Sequence, residues 1–269
     1  MEKNGKGIIT VGVLLAIGIA VVVTWTAAIK AIAGTRSGSS EEKEEVIRAP
    51  FERIVITEIS PDVVFRTSQD GQAKVVYTDT ETITHKIDVS GDTLSVKAKQ
   101  KKGSWFKQLF GGLFSFSLKP ENKSQTIIYL PEGDFESLSV GTVSGNVELP
   151  DTAEFEEIEA ATVSGDITAD GTKISGNAGF ETVSGDMTLS GIQASSVSAN
   201  SVSGEIRLTD ADITGAVTAE TVSGDVSGNV LGSHSYKVNS VSGDKTYPEG
   251  TNSAPVVSVS TTSGDVNLG

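Results

Sequence analysis

One five-residue phrase, Thr-Val-Ser-Gly-Asp with small variations, returns seven times in the second half of this chain and limits what the chain can form. Its glycines are Gly145, Gly165, Gly185, Gly204, Gly224, Gly243 and Gly264, at intervals of 20, 20, 19, 20, 19 and 21 residues. A near-constant period of this length marks units that cannot bury an apolar face alone and must stack.

Fixed offsets from each glycine say what the units are. Seven residues before it stand Leu138, Ile158, Ala178, Val197, Val217, Tyr236 and Val257. Five before it stand Val140, Ala160, Phe180, Ala199, Ala219, Val238 and Val259. Two after it stand Val147, Ile167, Met187, Ile206, Val226, Lys245 and Val266. Offsets two apart describe one face of a strand, not a helix. The apolar sets before and after the glycine have opposite parity, so the chain must bend at the phrase, where Gly and Asp suit a tight corner. Ile174, Ile192, Ile213 and Leu231 supply a third side. The expectation is an all-β protein: a parallel β-solenoid over residues 138–269, with coils of about 20 residues and three short strands each.

The preceding residues divide into three parts. Ile8 to Ile29 is a run of 22 residues without a charge, spanning about 33 Å as a helix, enough to cross a bilayer. Residues 1–33 are therefore expected to be one transmembrane helix, with Trp25 at its outer end. The flanking lysines orient the N-terminus to the cytoplasm and the rest outside. A cleaved signal peptide ending at Ala31-Ile32-Ala33 is the rival, though its apolar region would be shorter. Residues 34–45, small and charged, read as a flexible linker. Residues 46–137 show strands without the 20-residue period, and are expected to form an antiparallel β cap. Within it, Val63-Val64-Phe65 and Val75-Val76-Tyr77 read as a hairpin about Gln69-Asp70-Gly71, and Ile87–Val89 with Leu94–Val96 as another about Ser90-Gly91-Asp92. Five lysines between Lys97 and Lys107, with Trp105 and Phe106, read as a cover for the open end of the rod, or else as a membrane-surface contact.

The phrase at this spacing resembles the bacterial "putative adhesin" β-strand-repeat family, the LiaG-like domain of unknown function. The lead-in Ile127-Ile128-Tyr129-Leu130-Pro131-Glu132-Gly133 and the lysine-rich Trp-Phe segment before it are similar to that family's junction. The resemblance spans roughly residues 50 to 269. It implies a bacterial, β-rich and often membrane-anchored envelope protein, and carries over no catalytic or binding residues.

The chemistry-bearing residues are few. The only histidines, His85 and His234, are far apart and read as surface residues without metal-ligand spacing. Ser144, Ser164, Ser184, Ser203, Ser223, Ser242 and Ser263 recur without a base, as a ladder of hydroxyls. Asn146, Asp166, Asp186, Glu205, Asp225, Asp244 and Asp265 line one edge, where Ca²⁺ binding is conceivable but the Gly-Gly-x-Gly-x-Asp calcium repeat is missing. With no cysteine there is no disulfide or thiolate chemistry.

From Leu138 onward 18 acidic residues face only Lys173, Arg207, Lys237 and Lys245, so the whole net charge of −14 sits on the repeats. Such a rod is a poor partner for nucleic acid. The expectation is a non-catalytic, membrane-anchored surface module without a cofactor, a catalytic set or a metal site. Its partners would be the membrane through residues 8–29, and an unidentified protein or cell-envelope glycan, with self-association possible. A polysaccharide-active β-helix enzyme and a self-assembling β-helical scaffold remain as alternatives.

Overall fold

The computed structural model describes residues 40–100 and 124–269. The expected anchor at 8–29 and most of the Lys97–Phe114 segment lie outside the described residues. Among the described residues no helix is long and apolar enough to cross a membrane.

The repeats stack as coils in parallel register. On the face before the corner, Leu138 pairs with Ile158, Ile158 with Ala178, Ala178 with Val197, and Val197 with Val217. On the face after it, Val147, Ile167, Met187, Ile206 and Val226 follow the same order. A third short side is made at Lys173, Gln193 and Asp212, which pair in turn. Ile174, Ile192 and Ile213 are buried there as expected, but Leu231 is 44% exposed and its neighbour Val230 takes the inward place. The inward residues form one continuous core, with Phe135 stacked on Phe155 at 5.3 Å.

The rod is longer than the repeat phrase indicates. Ile54 and Ile56 pair in parallel with Leu138 and Val140, and Val63 with Val147, so residues 53–67 form a coil with Pro61 in the glycine's place. Leu94 and Val96 pair in parallel with Ile54 and Ile56, and Thr126 to Leu130 with Val63 to Thr67, which adds one more coil outside it. That makes nine levels, or about 38 Å of stacked strands at the usual spacing.

The reading of 46–137 as an antiparallel cap therefore needs correction. Among the described residues only Glu41–Ile47, Ala73–Asp79 and Ile83–Ser90 run antiparallel to their neighbours. The 34–45 linker is also too long, because Glu41 to Glu45 already belong to the first of these strands. The hairpin about Ser90-Gly91-Asp92 is present, with Val89 opposite Leu94 and Gly91 at φ +63°. The one about Gln69-Asp70-Gly71 is not: Gln125–Leu130 inserts between its arms and pairs with both. A local turn signal cannot foresee a strand arriving from 50 residues away.

Both ends of the rod are out of sequence order. At one end the 53–67 coil sits inside the level made by the later strands Thr93–Gln100 and Gln125–Leu130. At the other, Val256–Ser263 pairs with Val217–Glu220 on one side and with Ser235–Ser242 on the other. The last repeat is thus clasped between its two predecessors, and the 235–246 coil stands outermost.

Candidate functional surface

The corner phrase is a structural device, and its chemistry is fully legible in the geometry. A Cβ on Gly165 would lie 2.0 Å from the Gly145 carbonyl oxygen, and one on Gly185 1.9 Å from that of Gly165. No side chain fits there, so glycine recurs because neighbouring backbones touch. The Thr three residues earlier points inward: Thr162 and Thr182 donate through Oγ1 to the carbonyls of Gly145 and Gly165, each at 3.3 Å. The Ser between them faces solvent in every coil.

The acidic column is a hydrogen-bond ladder. Asn146 N–H donates to Asp62 Oδ1 at 2.9 Å, Asp166 N–H to Asn146 Oδ1 at 3.0 Å, and Asp186 N–H to Asp166 Oδ1 at 2.9 Å. Glu205 N–H continues it to Asp186 Oδ1 at 2.8 Å. The longer Glu205 side chain leaves the file and takes Arg207 at 2.6 Å and Ser227 Oγ at 2.8 Å. Beyond it, Asp265 N–H donates to Asp225 Oδ1 and Asp244 N–H to Asp265 Oδ1, both at 2.8 Å. Asp62, Asn146, Asp166, Asp186, Asp225 and Asp265 each receive an amide from the next coil, which gives the column a structural reason to recur. The one exposed trio of carboxylates within mutual reach among the described residues, Glu52, Asp92 and Glu136, is bridged by Arg53, 3.3 Å from Asp92 and 2.7 Å from Glu136.

The outer side of the face before the corner is different: Ser196 Oγ donates to Asn177 Oδ1 at 2.7 Å and Asn200 Nδ2 to Ser198 Oγ at 3.3 Å, while Glu157 and Glu159 stand exposed. Glu159, Gly179, Ser198 and Thr218 follow one another up one column, and Ala161, Glu181, Asn200 and Glu220 up the next. Gly179 leaves a notch between its neighbours, the floor of a depression of about 290 Å³ walled by Glu157, Glu159, Asn177 and Ser196. Glu181 and Glu220 are half-buried beside it. Burial pushes both carboxyls above the ordinary range, and Glu159 adds to the effect at Glu181. Among the described residues Glu181 Oε2 is buried without a hydrogen-bond partner. The surface offers carboxylates, amides and hydroxyls at strand spacing, a set that accepts donors from polyhydroxylated or cationic molecules.

The histidines are not on the surface, contrary to the sequence reading. The side chain of His85 is fully buried, with Nδ1 2.9 Å from Asp79 Oδ1 and Nε2 3.2 Å from the fully buried Glu58. Thr126 Oγ1 donates to Glu58 at 2.7 Å, and Lys43 Nζ to Asp79 at 3.0 Å. Burial opposes the charge on His85, but Glu58 and Asp79 outweigh it and raise its pKa. Asp79 is held below its ordinary value because the bonds from His85 and Lys43 outweigh its own burial. This network ties the antiparallel strands to the first coils. His234 is also buried, with Nε2 3.1 Å from the Ile213 carbonyl. The signal for His85 lay in the alternation of its strand, which puts it on the same side as Ile83 and Ile87; a partner 27 residues away could not be foreseen.

A family model, Toastrack DUF4097, matches residues 51–269. Among solved structures, a "putative adhesin" from Bacteroides fragilis is 14% identical with a TM-score of 0.44, covering 86% of this chain and 98% of that one. A "putative lipid binding protein" from Parabacteroides distasonis is 19% identical with a TM-score of 0.41, covering 86% and 98%. A "putative cell adhesion protein" from Clostridium sporogenes is 15% identical with a TM-score of 0.38, covering 86% and 99%. No curated protein matches the sequence.

Proposed function

The chain belongs to the Toastrack DUF4097 family, and from that premise we propose that it is a non-catalytic binding module of the bacterial envelope. In this reading residues 8–29 span the cell membrane once, the N-terminus is cytoplasmic, and the rod stands outside. The outer face before the corner receives the partner, an envelope glycan or a basic protein segment.

The observation that carries the reading is the notch at Gly179. The recurring polar groups at the corner are spent on one another, whereas here the exposed carboxylates of Glu157 and Glu159 line an open depression. The site also tests cleanly. A Cβ at Gly179 would meet nothing closer than Glu159 Cγ at 3.9 Å, so Gly179→Gln fills the depression without opposing the stack.

The experiment is co-sedimentation of the full chain, in detergent, with insoluble peptidoglycan sacculi, and in parallel capture on poly-lysine beads. Binding to either that falls at least tenfold in Gly179→Gln supports the proposal. Equal binding by the two proteins, or none by either, sinks it. Protease shaving of intact cells, read with an antibody to the C-terminus, checks the orientation separately.

Glu181 and Glu220 favour glycan hydrolysis as a second reading. They stand two coils apart, about 9.6 Å by strand spacing, just beyond the range of about 6.5–9.5 Å for a carboxylate pair that inverts a glycosidic centre. Release of reducing sugar from sacculi that disappears in Glu181→Gln would replace the binding reading with an enzymatic one.

A further inference from the structure

The hairpin at the first end of the rod has an open edge among the described residues. Ile83–Ser90 pairs antiparallel with Thr93–Gln100 on one side and with no described strand on the other. Ser90 and Thr93 flank the two-residue turn at Gly91 and Asp92, so they form a hydrogen-bonded pair, as do Asp88 with Ser95 and Lys86 with Lys97. The odd-numbered residues of the strand therefore turn their backbone groups away from Thr93–Gln100. Two bonds agree: the His85 N–H donates to Asp79 Oδ1 at 2.8 Å, and the Ile83 carbonyl accepts from the Thr80 N–H at 2.8 Å. Past them, Ile87 and Val89 present N–H and C=O to the open edge.

The side chains of this strand are self-complementary about Ile87. Ile83, His85, Ile87 and Val89 share the inward side with Leu94 and Val96, while Thr84, Lys86, Asp88 and Ser90 share the outward side. Lys86 Nζ lies 2.7 Å from Asp88 and stands directly opposite Lys97, a like charge. In antiparallel pairing opposite residues share a face, so inward must meet inward. For a second copy about a two-fold axis, centring on Lys86 or on Asp88 sets like charges face to face. Centring on Ile87 sets Lys86 against Asp88 in both directions, with His85 against Val89 and Thr84 against Ser90.

We infer that Ile83–Ser90 docks a second copy of this chain, edge to edge about a two-fold axis through Ile87. Ile87 exchanges both backbone bonds with its copy, and the Val89 N–H of each chain reaches the His85 carbonyl of the other. The two lysines and two aspartates close into a ring of alternating sign, which a strand of unrelated sequence does not supply. The face after the corner runs one strand further at this end, through Glu41–Ile47 with Glu41, Glu42, Glu44 and Glu45. One strand of about 4.8 Å over faces about 10 Å apart tilts each rod by more than about 25°, so those acidic strands splay apart. Each copy presents the same edge to the other, and the contact closes at two.

The test uses the full chain in detergent, with protein mass measured by sedimentation as a function of concentration. The native chain should double in mass as concentration rises. Lys86→Asp and Asp88→Lys, both at outward side chains, should each weaken pairing at least tenfold with circular dichroism unchanged. Mixed in equal amounts the two should pair with each other, because each then faces the opposite charge, and the double variant Lys86→Asp/Asp88→Lys should pair with itself. Ile87→Pro removes an N–H that the hairpin does not use and should abolish pairing. A monomer at every concentration, a dimer indifferent to the single charge reversals, single variants that fail to pair when mixed, or growth beyond two copies would each overturn the inference.

Discussion

Gly264 lies directly on Gly224, not on Gly243. A Cβ at Gly264 would stand 2.0 Å from the Gly224 carbonyl oxygen, and one at Gly243 2.1 Å from that of Gly264. The last repeat is thus wedged into the file ahead of the one that precedes it in the chain. The chain must cross back through residues 247–255 to do this, with Ser253 at φ +67° and Pro248 and Pro255 along the way. The 235–246 coil can only be seated on a surface that a later part of the chain provides.

Deleting residues 256–269 should therefore unseat two coils, not one. Amide exchange is the measurement: Lys237, Asn239 and Val241 should lose protection in the truncated chain, although their own sequence is untouched. Retained protection would mean that the 235–246 coil docks directly on 217–230.

Gly185→Ala and Gly179→Ala make a matched pair. The first places a methyl 1.9 Å from backbone oxygen, the second 3.9 Å from the nearest atom. The corner substitution should cost about 3 kcal/mol or more, at the upper end for overpacking. That corresponds to a drop in Tm of about 6–12 °C for a unit of this size. Gly179→Ala should stay within about 1 kcal/mol of the native chain. Thermal unfolding followed by circular dichroism separates the two.

In the amide ladder the acceptor matters and the charge does not. Asp186→Asn keeps an oxygen for the Glu205 amide, as Asn146 does naturally for Asp166, and should be neutral within about 0.5 kcal/mol. Asp186→Ala removes the acceptor and should cost about 1 kcal/mol. If the two variants melt alike, the file is held by something other than these bonds.

The His85 network carries a pH dependence with a defined sign. A raised histidine pKa means the folded state holds its proton more tightly than the unfolded chain does. That stabilisation is complete below the unfolded value of about 6.5 and is lost as pH rises through the folded value. Asp79, lowered in the fold, contributes above its unfolded value and loses its contribution as pH falls through the folded one. Urea unfolding should show stability declining from mildly acidic into alkaline solution. His85→Gln should flatten that alkaline decline.

His85→Leu should cost about 3–5 kcal/mol, because Glu58 is then buried with Thr126, among the described residues, left to answer it. Loss should appear first in the antiparallel strands, as early exchange of the Ile83–Ser90 amides. A uniform loss over the whole rod would place the network's role elsewhere.

Most of the rod was legible in the chain because the repeat is its own instruction. Stacked coils put equal positions one above another, so a period near 20 residues, inward parity at Ile158 and Phe180, and a glycine where backbones touch all follow from spacing. The candidate surface was not legible. The half-buried Glu181 and Glu220 take their character from Gly179 and from strands one coil away, and nothing in the Glu181 neighbourhood of the sequence distinguishes it from a solvated glutamate. His85 was hidden for a similar reason, since Glu58 and Asp79 meet it only after the first strands have crossed.

The sequence by itself determined the repeating unit: its length, its corner and its inward face. Only the tertiary structure decided the order of the coils at both ends. One copy of the phrase stacks on any other with the same glycine, threonine and aspartate contacts, so the phrase cannot say which copy is next. Burial settles it. Val266 and Leu268 need cover on both sides, whereas Lys245, standing where every other repeat has an apolar residue, is stable only at an edge facing water.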